Sequence, residues 1–523
     1  MADTASTLRK KRQRRSHDHS AALDGTRRGG ILLEELQRRF DELERQLSRL
    51  SQEHIALQSR YDELQEKSAK QQQRIGELEE QLAKARKTSR NSSKPPSSDI
   101  VKKPTPGPDS PDGGRRKRGG QPGHPRHERP DVSPDEVDGV VDCALNVCPC
   151  CGEQLIDLHD PPDVLHQIEL PEKPVRTTEY RRHTKWCGKC KKAITPSWPP
   201  GLLEAGLIGP RLTALVGFLK GACGMTISAL RRFFRDVLGV TVSKGFLAKL
   251  VNKVSGSLAD PYHELLQLLP EEERLNIDET GHKDLGKRMW TWCFRAATFA
   301  VFKISPSRGS DVLLEVLGKE FDGLIGCDYF SAYRKYMRLN ENVRLQFCLA
   351  HLIRDVKFLA EHPNAQNRAY GERLLVQLRK LFGVIHRRDE YPTSAGFRTA
   401  LARVRTDLVW AATMESPHTR EAVALEERFY QYTDSYFQFL TNPDIDPTNN
   451  VVEQAFRFVA IQRRITQGTR GATGRTWCER IWTVVATCEQ QGRSIFDYLI
   501  DAVTNLFTHQ ASPTLLPDPS NTS

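Results

Sequence analysis

Three acidic residues stand out by where they fall: Asp278 in RLNIDETGHK, Asp328 in FDGLIGCDYFSAY and Glu453 in PTNNVVEQAFRFVAIQRR. Each aspartate closes a short apolar run. The glutamate lies near the start of a segment whose Val452, Phe456 and Val459 recur on one helical face. Carboxylates gathered from separate elements are what hard divalent cations take as ligands, and such ions activate an attacking oxygen and stabilise a leaving one in phosphoryl transfer. The same residues also fit structural roles, as strand-end turns for the aspartates and a capping box for Asn450-x-x-Glu453.

A second set is built on sulfur. Cys148 and Cys151 in CPCCG and Cys187 and Cys190 in CGKC form two C-x-x-C pairs with 35 residues between them. Two-residue spacing lets both thiolates of a knuckle reach one tetrahedral Zn²⁺, and four protein ligands leave no position for water, so the set predicts a structural zinc. Cys150 is then spare, Cys143 lies outside the pairs, and His183 fits a surface histidine better than a replacement ligand. Clustered thiols read as ligands because the chain is expected to be cytosolic, where disulfide frameworks are rare.

The elements that must position the carboxylates follow from pattern. After Asp278, MWTWCFRAATFAVFKIS is aromatic and β-branched and reads as strands; SDVLLEVLGKEF reads as a helix, VRLQFCL as a strand and AHLIRDVKFLAEH as a helix. Two aspartates on neighbouring strands of such a sheet is the order expected of a ribonuclease-H-like (α/β mixed sheet) domain. Upstream, TISALRRFFRDVL and TVSKGFLAKLVNKV flank a turn at Gly239. They fit a helix-turn-helix that offers Ser243, Lys244 and Lys249 to DNA, or a plain packing subdomain.

Nearer the N-terminus an apolar seam runs in four- and three-residue steps through Leu36, Phe40, Leu43, Leu47 and Leu50, then Leu57, Tyr61, Leu64, Ile75, Leu78 and Leu82. This predicts a coiled coil over 31–90 that joins chains, with one long helix folded on its own protein as the alternative. A Pro/Gly-rich linker follows, carrying Arg115, Arg116, Lys117 and Arg118; with the basic residues between Arg9 and Arg15 it contributes to a net charge of +11 over 523 residues. That balance favours an acidic partner, and the linker is able to lie along a phosphate backbone or to serve as a flexible spacer. No run of 18 apolar residues suggests a membrane span.

Taken together, NSSKPPSSD, RKRGGQPGHP, the CPCCG and CGKC pairs, NIDET, GCDYFSAY, CLAHLIRD and TNNVVEQAFR with QRRITQGTRGATG resemble the insertion-sequence-66 family of transposases, from the coiled coil to about Leu499. The resemblance implies that Asp278, Asp328 and Glu453 match the family's DDE triad, with a mainly helical insertion spanning much of the 125-residue step from Asp328 to Glu453. It implies Mg²⁺ or Mn²⁺ at the triad, cleavage at transposon ends, and attack of the freed 3′-hydroxyl on target DNA. It further implies terminal inverted repeats and target DNA as partners, with element-encoded accessory proteins as further candidates. Arg457, Arg463 and Arg464 are placed to hold phosphates. Cys348, His351 and Arg354 fall in a family motif without an assigned role.

The expected architecture is multidomain α+β: a basic tail (1–30), coiled coil (31–90), linker (91–135), zinc-binding module (140–198) and helical DNA-binding region (199–265). A catalytic domain (266–465, helical insertion about 355–440) and a helical C-terminal region (466–523) complete it. Two rival functions stay open: a ribonuclease-H-like nuclease that cuts without joining, and a zinc-containing DNA-binding regulator with inert carboxylates.

Overall fold

The computed structural model describes residues 25–87, 91, 132–143, 145–156, 164–391, 393–442 and 445–517, with side chains from residue 34 on. The basic residues Arg115, Arg116, Lys117 and Arg118 lie outside them, as does nearly all of the linker. The chain divides into two compact units, one up to Arg86 and one from Lys87 on.

Among the described residues the first unit is a single helix, α1 (Gly25–Arg86). Its length follows from a sequence without proline and from i,i+4 ion pairs such as Lys70 to Glu66 at 2.6 Å. The seam residues Leu36, Phe40, Leu43, Leu47 and Leu50 are all exposed, Leu47 at 72%. This apolar stripe therefore has no partner within the chain's described residues.

In the second unit a 3-10 turn at Pro134–Glu136 precedes a small hairpin, β1 (Lys185–Cys187) and β2 (Lys192–Ile194), paired antiparallel. Helices α2 (Leu202–Ala205), α3 (Pro210–Gly221), α4 (Ile227–Asp236), α5 (Lys244–Ser257) and α6 (Ala259–Leu268) follow. Residues Leu202–Gly221 have the hydropathy of a membrane-crossing helix, but the stretch is broken between α2 and α3. The α3 part buries Ala214, Val216 and Gly217, with Val254 of α5 against Gly217. Gly217 and Gly221 permit this packing, since a Cβ at either would collide with Val254 or Ile481.

The sheet has five strands in the order β5-β4-β3-β6-β7: β3 (Arg274–Asp284), β4 (Lys287–Arg295), β5 (Ala300–Ser305), β6 (Leu324–Cys327) and β7 (Arg344–Phe347). The first three form an antiparallel meander, and β6 and β7 join parallel to β3. The tight β3–β4 turn, Leu285-Gly286, has positive φ at both residues (50° and 79°), the geometry that suits a two-residue hairpin.

Helices α7 (Ser310–Leu317) and α8 (Ser331–Leu339) cross between strands; α9 (Leu349–Ala360) follows β7. A helical stretch of α10 (Ala365–His386), α11 (Ser394–Thr413) and α12 (Arg420–Tyr432) then precedes α13 (Asn450–Thr466), α14 (Ala472–Gln491) and α15 (Ile495–Phe507). Helices α13 and α14 lie on one face of the meander, where fully buried Phe302 meets Phe456 and Trp482 edge-on at 5.8 and 6.0 Å. Burying a phenylalanine in this way contributes about 2–3 kcal/mol. On the opposite face Trp292 meets Tyr333 of α8 at 6.2 Å.

The protein is thus a mixed α+β fold. One expectation is corrected: Asp278 does not end a strand but sits midway along the eleven-residue β3. The strand continues through polar residues because β4 supplies ladder partners as far as Lys287.

Candidate active site

Side chains alternate along β3, so Leu275, Ile277 and Glu279 face one way and Asn276, Asp278 and Thr280 the other. Asn276 pairs with Gly326 of β6 in parallel register. Carried two residues on, that register brings Asp328, just past the end of β6, level with Asp278 on a strand about 4.8 Å away. The carboxyl of Asp328 is fixed by the Phe330 N–H, which donates to Oδ1 at 2.8 Å.

Glu453 comes from the first turn of α13. No side-chain bond caps this helix, so the capping role open to Asn450-x-x-Glu453 is not what the glutamate performs. Instead Arg354 donates to its Oε2 at 3.4 Å, and His351 Nε2 lies 3.7 Å from Oε1. Glu453 Oε1 and His351 Nδ1 are both buried without a hydrogen-bond partner.

Electrostatics tie the three acids together. Burial, and then the neighbouring charges of Glu279, Asp328 and Glu453, push the Asp278 carboxyl well above the usual range. Burial also raises Asp328, against which His351, the Phe330 N–H and Arg308 pull it back. Packing carboxylates this way costs free energy that a bound cation would relieve, which is the chemistry of a divalent-metal site. As the side chains stand, no three His, Cys, Asp or Glu among the described residues are gathered into a set that could hold an ion.

The start of α13 is located by an amide that sequence reading passed over. Asn449 is 1% exposed; its Nδ2 donates to the Ile277 carbonyl at 3.0 Å, and its Oδ1 accepts from Asn276 Nδ2 at 2.8 Å. Its backbone N–H donates to Cys348 Sγ at 3.1 Å. Thus Cys348, His351 and Arg354 all act on the start of α13, the cysteine through Asn449 and the other two on Glu453 itself.

A second missed residue is Glu279, next to Asp278 on the opposite face. Its side chain is wholly buried, accepting from Tyr333 Oη at 2.6 Å and Arg308 Nε at 2.8 Å, while the Arg308 guanidinium stacks over Trp290 and Phe330. Tyr333 and Phe330 follow Asp328, so the cluster ties the two aspartate-bearing segments together behind the sheet. The only sequence signal was the adjacency of two acids in a strand, which sends them to opposite faces.

Burial, then Asp328, raises Glu279 to about 7 from an ordinary 4.5, although Tyr333 and Arg308 pull it down. The folded chain therefore binds a proton that the unfolded chain releases between those values. That contribution to stability is complete below about 4.5 and is lost as pH rises through about 7. Arg308→Met removes one of the downward pulls, so its melting temperature should fall more steeply than the wild type's between pH 7 and 9. Parallel melting curves across that window would dismiss the role given to Arg308.

The thiols form two separate knuckles. In the first, Gly152 (φ 75°) closes a turn in which its N–H donates to the Cys148 carbonyl at 2.9 Å. In the second, the Cys190 N–H donates to Cys187 Sγ at 3.4 Å at the tip of the β1–β2 hairpin. Backbone donors lower the Cys148 and Cys187 thiols, as thiolate ligands require. The two knuckles are not gathered into one four-thiol set.

Among the expected DNA contacts, Lys244, Lys249, Arg457 and Arg464 are exposed. Arg463 is half-buried, donating to Thr280 Oγ1 at 3.0 Å and to the Gly281 carbonyl. Ser243 is engaged otherwise, its hydroxyl accepting the Phe246 N–H at the start of α5.

The stretch that carries all three acids, the sheet and the helices against it is that of a transposase. Residues 205–476 match the family model described as Transposase IS66 family, more than half of the 523 residues, and the chain belongs to that family. Residues 30–130 match a family of unknown function (DUF6444). The chain is also similar to the "Uncharacterized protein y4hP" of Sinorhizobium fredii, 22% identical over 413 residues that cover 72% of this chain and 74% of the other.

Proposed function

We propose that the protein is a DNA transposase of the DDE type, with Asp278, Asp328 and Glu453 holding Mg²⁺ or Mn²⁺ while transposon ends are cut and joined to target DNA. The observation that carries this reading is the β3–β6 register, which sets the two aspartates level on the face that Glu453 approaches, inside the span matched to transposases. An antiparallel meander extended by two parallel strands, in the order β5-β4-β3-β6-β7, supports a ribonuclease-H-like catalytic domain. A long helical insertion precedes the third acid.

The donor set fits hard cations: three carboxylates, of which Asp278 has its proton affinity raised by burial and by the other two, and Glu453 has a buried oxygen lacking a partner. A cation there supplies Lewis acidity to the scissile phosphate and acidifies the attacking water or 3′-hydroxyl. The chain's own residues do the positioning. The Phe330 N–H orients Asp328, Asn449 anchors α13, and Arg354 and His351 lie against Glu453, which would be a ligand of the cation. Arg457 and Arg464 offer charge to phosphates along the same helix.

The direct test is a joining assay with the full chain, Mg²⁺ and a duplex ending in the inverted repeat that flanks the gene. A joined 3′-end product is expected. Cleavage without joining would favour a nuclease, and binding without cleavage under any divalent ion a regulator.

The exposed stripe of α1 supports self-association through a coiled coil. Leu47→Asp combined with Leu50→Asp should turn an oligomer into a monomer in sedimentation of the full chain; a monomeric wild type would end the proposal. The lowered Cys148 and Cys187 thiols support a structural Zn²⁺ on Cys148, Cys151, Cys187 and Cys190, which would have to draw together two knuckles that stand apart in this structure. Metal analysis should find about one zinc per chain, as a four-ligand site requires, and Cys187→Ser should lose it. Purified chain with no zinc would remove the site.

A further inference from the structure

A cavity of about 260 Å³ lies at the far end of α13 from Glu453. Its walls are the last residues of α3 and α13, the distal half of β3, residues 468–470 and the start of α14. Lys220, Arg463 and Arg470 line it, with no carboxylate among the lining residues. The nearby Asp284 is already engaged by Thr469, the Gly471 N–H and Arg475.

Lys220 is half-buried, and its ammonium has no hydrogen-bond or ion-pair partner among the described residues. Burial lowers its proton affinity; the one group that favours its charge is Cys478, whose thiol is itself pushed up to about 12 and stays neutral. A half-buried cation without a counter-charge weakens the fold unless an anion completes it. His282, also in the lining, is held down to about 4 by burial and by Arg463, so the cavity's charge does not depend on its protonation.

The cradle is rigid. Its loop adopts positive φ at Gln467, Gly468 and Gly471 and is stitched to β3 by Thr469 N–H to the Lys283 carbonyl at 2.8 Å and Leu285 N–H to the Thr469 carbonyl at 3.0 Å. A Cβ at Gly468 would strike the Lys283 carbonyl.

The position is defined along two elements. Asp278, Thr280 and His282 share one face of β3, four residues apart end to end, or about 14 Å. Glu453 and Arg463 are ten residues apart on α13, or about 15 Å. Both separations exceed the spacing of neighbouring phosphates on one DNA strand, so a strand whose one phosphate lies at the acids would bring a different phosphate to the cavity.

We propose that this cavity takes one backbone phosphodiester of the DNA strand, a few nucleotides from the phosphate that the acidic site handles. The proposal rests on the reading of DNA as the substrate. Lys220 is the residue that commits the cavity to an anion.

The test compares full-length wild type with Lys220→Met in EDTA, on a duplex ending in the inverted repeat that flanks the gene, over a range of salt concentrations. Lys220→Met should bind about eightfold more weakly at 0.1 M salt, with a salt slope lower by about one. It should melt at the same temperature or higher. A duplex scanned with single neutral methylphosphonates should contain one position that weakens the wild type and leaves Lys220→Met unaffected. Arg470→Gln, at an exposed position, should lower the slope in the same way.

Unchanged affinity and slope in Lys220→Met would overturn the pocket and leave the DNA reading standing. A lower melting temperature in Lys220→Met, with Arg470→Gln indistinguishable from wild type, would make the ammonium structural and equally overturn it. If the wild type binds no duplex, the DNA reading falls and the pocket with it.

Discussion

Asp278→Asn is expected to bind transposon ends like the wild type and to join them more slowly by on the order of a thousandfold or more, since it removes a charged ligand where charge develops. The same substitution should raise the melting temperature at neutral pH. The Asp278 carboxyl is held above its ordinary range by burial and by Glu279, Asp328 and Glu453. Its stabilising contribution is therefore complete at low pH and is lost as pH rises, and an amide escapes that loss. The gain should vanish in acid, where the wild-type carboxyl is protonated as well. Strand transfer that survives in Mg²⁺ would rule Asp278 out of the chemistry; an unchanged melting temperature at pH 7 would remove the electrostatic account.

Gly326→Ala is expected to act on the same site without touching a carboxylate. A Cβ there would run into the Asn276 side-chain amide and reach to 3.6 Å from Asn449 Oδ1. Displacing Asn276 breaks one of the bonds that hold Asn449 and loosens the anchorage of the turn carrying Glu453. Overpacking should cost about 1–3 kcal/mol in stability. A shift of about 1 Å in the glutamate should slow joining by on the order of a hundredfold, with the affinity for DNA ends retained. Asn449→Ala should reproduce the kinetic defect. A Gly326→Ala chain that joins ends at the wild-type rate would show that the asparagine pair does not position Glu453.

What the sequence revealed and concealed divides along physical lines. The apolar stripe of α1 and the apolar face of α13 were legible because helical periodicity repeats over many residues. The strand character of MWTWCF and FAVFKIS was legible from aromatic and β-branched content. The length of β3 was not, because its distal half reads as polar: His282 and Asp284 are buried there only because Thr291, Thr469 and Arg475 satisfy them, and those partners come from elsewhere in the chain. Glu279 went unread for a similar reason, since the residues that bury it, Arg308 and Tyr333, carry no periodic mark. Asn450 drew notice as a cap while its neighbour Asn449 makes the tertiary bonds. Spacing alone gave each of the three acids a structural excuse; their company in one site depends on strand register and on a distant helix.

The Asn276–Asn449 bond joins residues 173 positions apart, and Asn449 to Ile277 spans 172. Contacts of such high sequence separation close late, because the chain entropy they cost is recovered only when both partners exist. At about 5–20 residues per second, the ribosome needs roughly 6–25 seconds to travel from Asp328 to Glu453. Throughout that interval the two aspartates have no glutamate, no asparagine clamp and no α13 over the sheet. On the proposed assignment, a chain interrupted within the helical insertion would end with two of its three acids and no centre, so synthesis itself would withhold activity until the insertion has been made.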